Sequence, residues 1–186
     1  MIKTGIFGGS FNPIHNGHIA LAKQILERTD LEEIWLMVSP QNPLKNADSL
    51  ADDNYRLKMV EAAVKDIHGL KASDFEFNMP RPSYMIDTLT SLREKYPDRV
   101  FSLIIGADNW VVFNKWHRWN DIINQFRIIV YPREGTHIDV EQLPQNVTLT
   151  DTQLYNISST EIRQRMREGK SVSHLVPPEI IQILKI

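Results

Sequence analysis

The chain has 186 residues and a formal net charge of −2 at pH 7, with 42% hydrophobic and 24% charged residues. These proportions are typical of a globular protein and exclude disordered and fibrous classes, and the charge argues against a nucleic-acid partner, which needs a basic surface. The absence of cysteine excludes disulfides, thiolate metal sites and cysteine nucleophiles, and no apolar run approaches the roughly eighteen residues that span a membrane.

Strand and helix patterns alternate along the chain. The apolar residues of Ile2–Phe7 predict a strand, and Gly17–Arg28 carries apolar residues at helical spacing. Ile34–Val38 is a continuous apolar run, which suits a parallel sheet covered on both faces. Ser39–Ala51, rich in Pro, Asn and Asp, is predicted to be a functional loop. The later predicted elements are a helix over Asp53–Ile67, a short strand over Phe75–Phe77, a helix over Tyr84–Tyr96, and strands over Val100–Ile105 and Ile128–Tyr131.

This alternation predicts an α/β fold, a doubly wound, Rossmann-like parallel sheet with helices on both faces. Such a fold has right-handed crossovers and places its ligand crevice at the carboxyl ends of the strands. The length suits a single domain over residues 1–186. Because the chain opens into an apolar strand without a charged and apolar leader, we expect a cytoplasmic protein with no membrane partner. The sequence leaves open whether it forms a homo-oligomer.

The most informative segment runs from Gly8 to His18 and reads GGSFNPIHNGH. Glycines at the end of a strand let backbone N–H groups approach an anion closely, and the following helix presents its unpaired amides to the same point. His15 and His18 add two donors to this predicted phosphate site. The spacing fits neither the GxGxxG fingerprint nor a Walker A loop. The structural alternative is that His15 caps the helix and His18 lies on the surface.

A second motif, ISSTEIR, covers Ile157–Arg163. Its S-x-x-E pattern is typical of a capping box, so a helix is predicted to begin here. Ser159 and Thr160 then lie in the first turn, with Arg163 one turn further on the same face. Two hydroxyls, free helix N–H groups and a guanidinium suit a polyphosphate. The alternative is an ordinary capped surface helix.

The middle of the chain carries candidates for a nucleoside. Asp108 follows an apolar strand at its carboxyl end, from where a carboxylate can accept hydrogen bonds from ribose hydroxyls. Trp116 follows eight residues later, and an indole stacks well on a flat pyridinium ring. For the neighbouring Trp110 and Trp119 we expect core packing instead.

Together these motifs resemble a known family. HxGH early and ISSTEIR late are similar to the motifs of the nucleotidyltransferase superfamily, whose relatives include class I aminoacyl-tRNA synthetases. With PSYMIDTL at Pro82–Leu89 and GADNWVVFNKW at Gly106–Trp116, nearly the whole chain resembles the bacterial nicotinate-nucleotide adenylyltransferases. Pantetheine-phosphate adenylyltransferases share the two phosphate motifs, but they are usually shorter and lack these middle segments.

The resemblance implies direct transfer of AMP from ATP to nicotinate mononucleotide, giving nicotinate adenine dinucleotide and pyrophosphate in NAD biosynthesis. Mg²⁺ is expected to enter with ATP, and no protein metal site is predicted. Of the two implied catalytic residues, His15 would orient the β- and γ-phosphates and His18 would donate to the α-phosphate. The residues implied in ATP binding are Gly8, Gly9, Ser10, Phe11, His15, His18, Ser159, Thr160 and Arg163.

For the mononucleotide, the resemblance implies that backbone N–H groups at Met85 and His117 hold the nicotinate carboxylate, where other members often carry Thr and Tyr. Trp116 would stack on the pyridine ring. Asn12 stands where the motif commonly has Asp, which lowers the negative charge near the phosphates. The residues implied in mononucleotide binding are Asn42, Lys45, Met85, Thr88, Asp108, Trp116 and His117.

Other functions stay open at this level. Adenylyl transfer to nicotinamide mononucleotide or to phosphopantetheine would use the same phosphate motifs. A nucleotide-binding regulator could keep the fold without chemistry, although intact His15, His18 and Arg163 weigh against it. Recognition of tRNA is poorly supported, because the chain lacks a basic face and an anticodon-binding extension.

Overall fold

The structure is a computed structural model that describes residues 1–40 and 50–184. Six strands form one sheet: β1 (Ile2–Gly9), β2 (Glu33–Val38), β3 (Leu70–Ser73), β4 (Arg99–Gly106), β5 (Arg127–Tyr131) and β6 (Val147–Leu149). Their order is β3-β2-β1-β4-β5-β6, and all neighbours are parallel. This confirms the predicted doubly wound α/β fold.

The described residues form six helices: α1 (Asn16–Arg28), α2 (Asp53–Val64), α3 (Met85–Lys95), α4 (Ala107–Trp110), α5 (Trp119–Gln125) and α6 (Ser159–Arg167). Five of these six lie between successive strands, and α6 follows β6. Helix α2 ends at Val64 rather than at the predicted Ile67. Within residues 1–40 and 50–184, no helix combines the length and the apolar character needed to cross a membrane.

Helices cover both faces of the sheet. Successive residues of a strand point to opposite sides, so the apolar residues of one strand contribute to two separate clusters. Phe7 belongs to an apolar cluster with residues of α1, α2 and α6. Its neighbour Ile6 belongs to a second cluster, with residues of α3 and α5. All six residues of β2 are buried, as expected for a central strand of a sheet covered on both faces.

One predicted strand is wrong, and one strand was missed. Phe75–Phe77 is not a strand but part of a 3₁₀ turn over Phe75–Asn78, and the third strand lies just before it. The turn is closed by the N–H groups of Phe77 and Met79, which donate to carbonyls three residues earlier at 2.8 and 3.1 Å. The last strand, β6, was not predicted, because its three residues form no apolar run.

The sheet topology positions the site. Strand β1 pairs with β2 on one side and with β4 on the other, so the direction of winding reverses between β1 and β4. In doubly wound folds, ligands bind in the crevice outside the carboxyl ends of the strands at this point. The Gly8–His18 motif continues from β1 and Asp108 follows β4, so both lie at the crevice.

Candidate functional site

A cleft of about 1280 Å³ opens at the carboxyl edge of the sheet. That volume suits a ligand larger than most drug-sized molecules. Most residues predicted from the sequence meet in its wall, although they come from five separate parts of the chain. They are Gly8, Gly9, Ser10, Phe11, His15, His18, Met85, Asp108, Trp116, His117, Ser159, Thr160 and Arg163.

Three predicted residues are not among those named. Asn42 and Lys45 lie outside the described residues. Thr88 is a correction: its side chain is fully buried in α3, and its hydroxyl donates to a carboxylate oxygen of Glu76 at 2.7 Å. Because this face of α3 points into the protein, Thr88 supports the wall from behind rather than facing a ligand.

The loop from Gly8 to Pro13, here called the glycine loop, is fastened to α6. A guanidinium nitrogen of Arg163 donates to the carbonyl of Asn12 at 2.7 Å. The hydroxyl of Ser159 donates to the carbonyl of Pro13 at 2.8 Å. The two sequence motifs, one near each end of the chain, therefore form one continuous wall of the cleft.

As predicted, Ser158 caps α6, and its side chain accepts the N–H of Glu161 at 3.1 Å. The carboxylate of Glu161 pairs with Arg165 at 2.9 Å. Thr160 accepts a hydrogen bond from Arg163 at 3.3 Å. The start of α6 therefore presents the Thr160 hydroxyl and, one turn further on, the Arg163 guanidinium side by side at the cleft, as a polyphosphate site needs.

The two histidines of the motif lie at the start of α1. His15 is the N-cap residue and His18 lies in the first turn. Their rings stack with centroids 3.6 Å apart, and the backbone N–H of His15 donates to Nδ1 of His18 at 3.2 Å. Because Nδ1 of His18 is an acceptor, the neutral ring carries its proton on Nε2. This makes Nε2–H of His18 a donor of defined orientation.

His15 is nearly buried, with 6% of its surface exposed. Burial, aided by the positive charge of Arg133, lowers the pKa of His15 to about 4. The ring is therefore neutral at physiological pH. Its Nδ1 is buried and has no hydrogen-bond partner among the residues that the structure describes.

The other end of the cleft is aromatic. The rings of Tyr84 and His117 lie 4.3 Å apart at 33°, which joins the start of α3 to the segment after Trp116. Met85 is the first residue of α3, where helix N–H groups have no partner inside the helix. Trp116 packs against Phe113 with ring centroids 5.3 Å apart. This end thus combines flat rings with backbone donors.

The expected packing of the other two tryptophans is confirmed. Trp110 stacks on Phe113 at 5.4 Å, and Trp119 meets the edge of the same ring at 6.4 Å. Both pack against the apolar cluster that includes α3 and α5.

Asp108 lies between these two ends, in the first turn of α4. Its carboxylate is 3.5 Å from the guanidinium of Arg133, and both side chains are about half exposed. A Cβ at Gly106 would lie 2.4 Å from the Asp108 carboxylate and 3.1 Å from Arg133. Glycine at this position therefore allows the ion pair to sit directly at the end of β4.

Several wall residues were not predicted from the sequence. Tyr131 ends β5, and burial raises the pKa of its hydroxyl to about 12, so it stays neutral. Glu76, Tyr84 and Leu154 also line the cleft. The sequence places Tyr131 at the end of a predicted strand and Tyr84 at the start of a predicted helix, which is a signal that could have found them. Nothing in the sequence indicates that Glu76 or Leu154 lines the cleft.

Comparisons with known proteins agree with this geometry. The family model for cytidylyltransferase-like proteins matches residues 6–165. Among curated relatives, a probable nicotinate-nucleotide adenylyltransferase of Bacteroides fragilis is 48% identical over 96% of this chain and 89% of its own length. One of Bacteroides thetaiotaomicron is 47% identical over 99% and 91%.

Solved structures share the fold. A nicotinic acid mononucleotide adenylyltransferase of Plasmodium falciparum, complexed with NaAD, superposes with a TM-score of 0.82 at 20% identity, covering 98% of this chain and 94% of that one. A putative nicotinate-nucleotide adenylyltransferase of Vibrio parahaemolyticus gives 0.73 at 24% identity, with both chains fully covered. By its relatives' identity and coverage, the chain belongs to the nicotinate-nucleotide adenylyltransferases, within the cytidylyltransferase-like family.

Proposed function

We propose that this protein transfers the adenylyl group of ATP to nicotinate mononucleotide, in NAD biosynthesis. The observation that carries the proposal is the bond between Arg163 and the glycine loop, because it assembles two phosphate motifs into one cleft that also holds an aromatic end. The names of the relatives support the same activity.

The reaction is a displacement at phosphorus. A 5′-phosphate oxygen of the mononucleotide forms a bond to the α-phosphorus of ATP, and the bond from that phosphorus to the bridging oxygen breaks. Pyrophosphate leaves with the electron pair. The attacking phosphate is already ionised at neutral pH, so no general base is needed. The protein contributes positioning and stabilisation of the charge on the phosphates.

His18 and His15 contact different phosphates of ATP. The Nε2–H of His18, oriented by the hydrogen bond on its Nδ1, donates to the α-phosphate as negative charge builds there. His15 orients the β- and γ-phosphates as a neutral ring. Arg163 uses two nitrogens on Asn12 and Thr160, and its fork has further N–H groups for the triphosphate.

The aromatic end receives the pyridine nucleotide. Trp116 stacks on the ring, and backbone N–H groups at Met85 and His117 face the nicotinate carboxylate. Asp108 accepts hydrogen bonds from ribose hydroxyls. The ring contact between Tyr84 and His117 supports this arrangement, because it holds the two donor-bearing segments together.

Mg²⁺ is proposed to arrive on the triphosphate. An ion with few protein ligands is usual for Mg²⁺ on nucleotides, where phosphates and water complete its shell. When bound, it neutralises charge on the phosphates. We also propose a cytoplasmic location, since both substrates are charged nucleotides that do not cross membranes unaided.

The test is release of pyrophosphate from Mg·ATP with each mononucleotide. We expect nicotinate mononucleotide to be preferred over nicotinamide mononucleotide by at least about 10²-fold in kcat/KM. An amide NH₂ facing two N–H donors leaves a donor unpaired, which costs roughly 1–3 kcal/mol before the lost charge is counted. Equal turnover of the two substrates contradicts the proposed carboxylate site.

A tryptophan pair tests the stacking. Trp116→Ala should weaken both mononucleotides by similar factors, because stacking involves the ring and not its substituent. Trp119→Phe is the matched control, since Trp119 packs on the same Phe113 but lies outside the cleft wall. It should leave kcat/KM for both mononucleotides unchanged.

A further inference from the structure

Arg56 is a fully buried charge that the proposed reaction does not use. It lies in the first turn of α2, and none of its side chain is exposed. Its guanidinium donates to three backbone carbonyls at short distance: those of Ser10 at 2.6 Å, Ser39 at 2.9 Å and Ala51 at 2.9 Å. It also contacts the carbonyl of Pro40 at 3.5 Å.

Among the residues that the structure describes, Asp53 is the carboxylate paired with Arg56. Asp53 lies 2.6 Å from it, and a second oxygen of Asp53 pairs with Arg81 at 2.8 Å. Burial lowers the pKa of Arg56, and Asp53 works in the opposite direction. A buried ion pair is seldom more stabilising than an apolar side chain of the same volume. The arrangement therefore calls for a reason beyond stability.

The contact with Ser10 supplies that reason. The carbonyl of Ser10 and the N–H of Phe11 belong to one trans peptide, so they point in opposite directions. Arg56 holds the Ser10 carbonyl toward α2, so the Phe11 N–H points away from Arg56, and Phe11 lines the cleft. Phe11 has a φ of 45°, a left-handed conformation that costs free energy for a non-glycine residue. Its neighbours must hold it there.

A second contact ties the same two parts together. The side-chain oxygen of Asn12 accepts the N–H of Ala51 at 3.3 Å, and Arg56 binds the carbonyl of Ala51. Ala51, two residues before α2, is thus connected to the glycine loop through both of its backbone groups, directly by Asn12 and through Arg56. The start of α2 and the glycine loop form one connected unit.

We propose that Arg56 is a positioning residue for adenylyl transfer: through the carbonyl of Ser10 it aims the N–H of Phe11 at the phosphates of ATP. The inference rests on the proposed function, because it assigns the glycine loop to ATP. Arg56 itself touches no substrate.

The test compares two buried or nearly buried arginines. Arg56→Lys keeps the charge but cannot reach carbonyls of three segments at once. Arg99→Lys is the matched control: Arg99 is 16% exposed and binds Glu33 and Asp98 at the opposite edge of the sheet. Pyrophosphate release is measured well below both thermal midpoints. We expect Arg56→Lys to lower kcat/KM for ATP at least about tenfold and to leave KM for the mononucleotide nearly unchanged. Arg99→Lys should lower only the thermal midpoint.

The inference is overturned if folded Arg56→Lys keeps the wild-type kcat and KM for ATP, or if its loss matches that of Arg99→Lys. If Arg56→Lys does not fold, Asp53→Asn replaces it, because losing the carboxylate that fixes the guanidinium loosens the bond from Arg56 to the Ser10 carbonyl. A several-fold rise in KM for ATP is then expected, and an unchanged KM overturns the inference.

A different experimental result is expected if the proposed function is wrong. In that case the wild type releases no pyrophosphate with any mononucleotide. Calorimetric titration with inorganic tripolyphosphate then still measures the affinity of the glycine loop for a polyphosphate, without any reaction. Weaker binding by Arg56→Lys than by wild type and Arg99→Lys supports the positioning role, and equal binding by all three overturns it.

Discussion

The two edges of the sheet treat buried polar groups in opposite ways. At the carboxyl edge, Ser10 Oγ, His15 Nδ1 and Trp116 Nε1 are buried without a hydrogen-bond partner among the described residues, and all three residues line the cleft. At the amino edge, the buried carboxylate of Glu33 is fully engaged. Its partners are Thr4 and Trp35 at 2.9 Å, Arg99 at 3.0 Å and Lys71 at 2.6 Å.

The difference separates stability from function. An unpaired buried polar group costs free energy, so a folded protein keeps one only where something other than stability requires it. The satisfied network around Glu33 ties β1, β2, β3 and β4 together. We therefore expect changes at the amino edge to affect the free energy of unfolding, and changes at the carboxyl edge to affect turnover.

The largest expected effect is on turnover. His18→Ala removes the Nε2–H donor and should lower kcat by about 10²-fold or more, the range seen when one transition-state donor is lost. The thermal midpoint should stay near that of the wild type. Steady-state pyrophosphate release and thermal unfolding measure both quantities. Near wild-type turnover contradicts the role of His18.

The reverse result is expected at the amino edge. Glu33→Gln keeps the shape but turns an NH₂ group toward the ammonium of Lys71, so two donors meet. Urea unfolding should show a loss of roughly 1–3 kcal/mol, with kcat and both KM values unchanged at a temperature where the variant is folded. A clear change in kcat would remove the contrast between the edges.

The pH dependence of stability tests the burial of His15. Its pKa is 6.5 ordinarily and about 4 in the folded protein. Between these values the unfolded chain binds a proton that the folded protein does not, so stability falls as pH falls from 6.5 toward 4 and is level above 6.5. From pH 6.5 to 5 the wild type should lose about 1–2 kcal/mol more than His15→Gln. Parallel urea-unfolding results for the two proteins contradict this.

The smallest effect is expected at Arg163. Arg163→Lys keeps the charge but loses the planar fork that bridges Asn12 and Thr160. The apparent affinity for ATP should weaken about three- to tenfold, while that for the mononucleotide changes little. Titration with each substrate alone measures this. If both affinities fall together, or neither does, Arg163 is structural only.

The central strands were predictable because physics marks them locally. Ile34–Val38 and Val100–Ile105 are apolar runs, as strands buried on both faces require. The edges of the sheet lack this signal, since β6 has three residues. The apolar residues of Phe75–Phe77 predict a strand, and this prediction is wrong. Phe75 packs against Tyr96 from a turn rather than from a strand.

The site was predictable where a motif joins neighbouring residues in the chain. The spacing of glycines, histidines and hydroxyl residues at the ends of strands and helices is enough to indicate a phosphate site. The orientation of Thr88 was not predictable, because a helical pattern does not say which face a polar residue takes. The role of Arg56 was not either, since its partners Ser10 and Ser39 lie 46 and 17 positions away.

The bonds from α6 to the glycine loop join residues 146 and 151 positions apart. All six strands precede α6 in the chain, so every element of the sheet is synthesised before Ser159 and Arg163. A chain cut between β6 and α6 therefore keeps the sheet residues and both histidines but loses the two bonds that hold the glycine loop. Completion of this wall of the cleft thus depends on a segment that contributes nothing to the sheet itself.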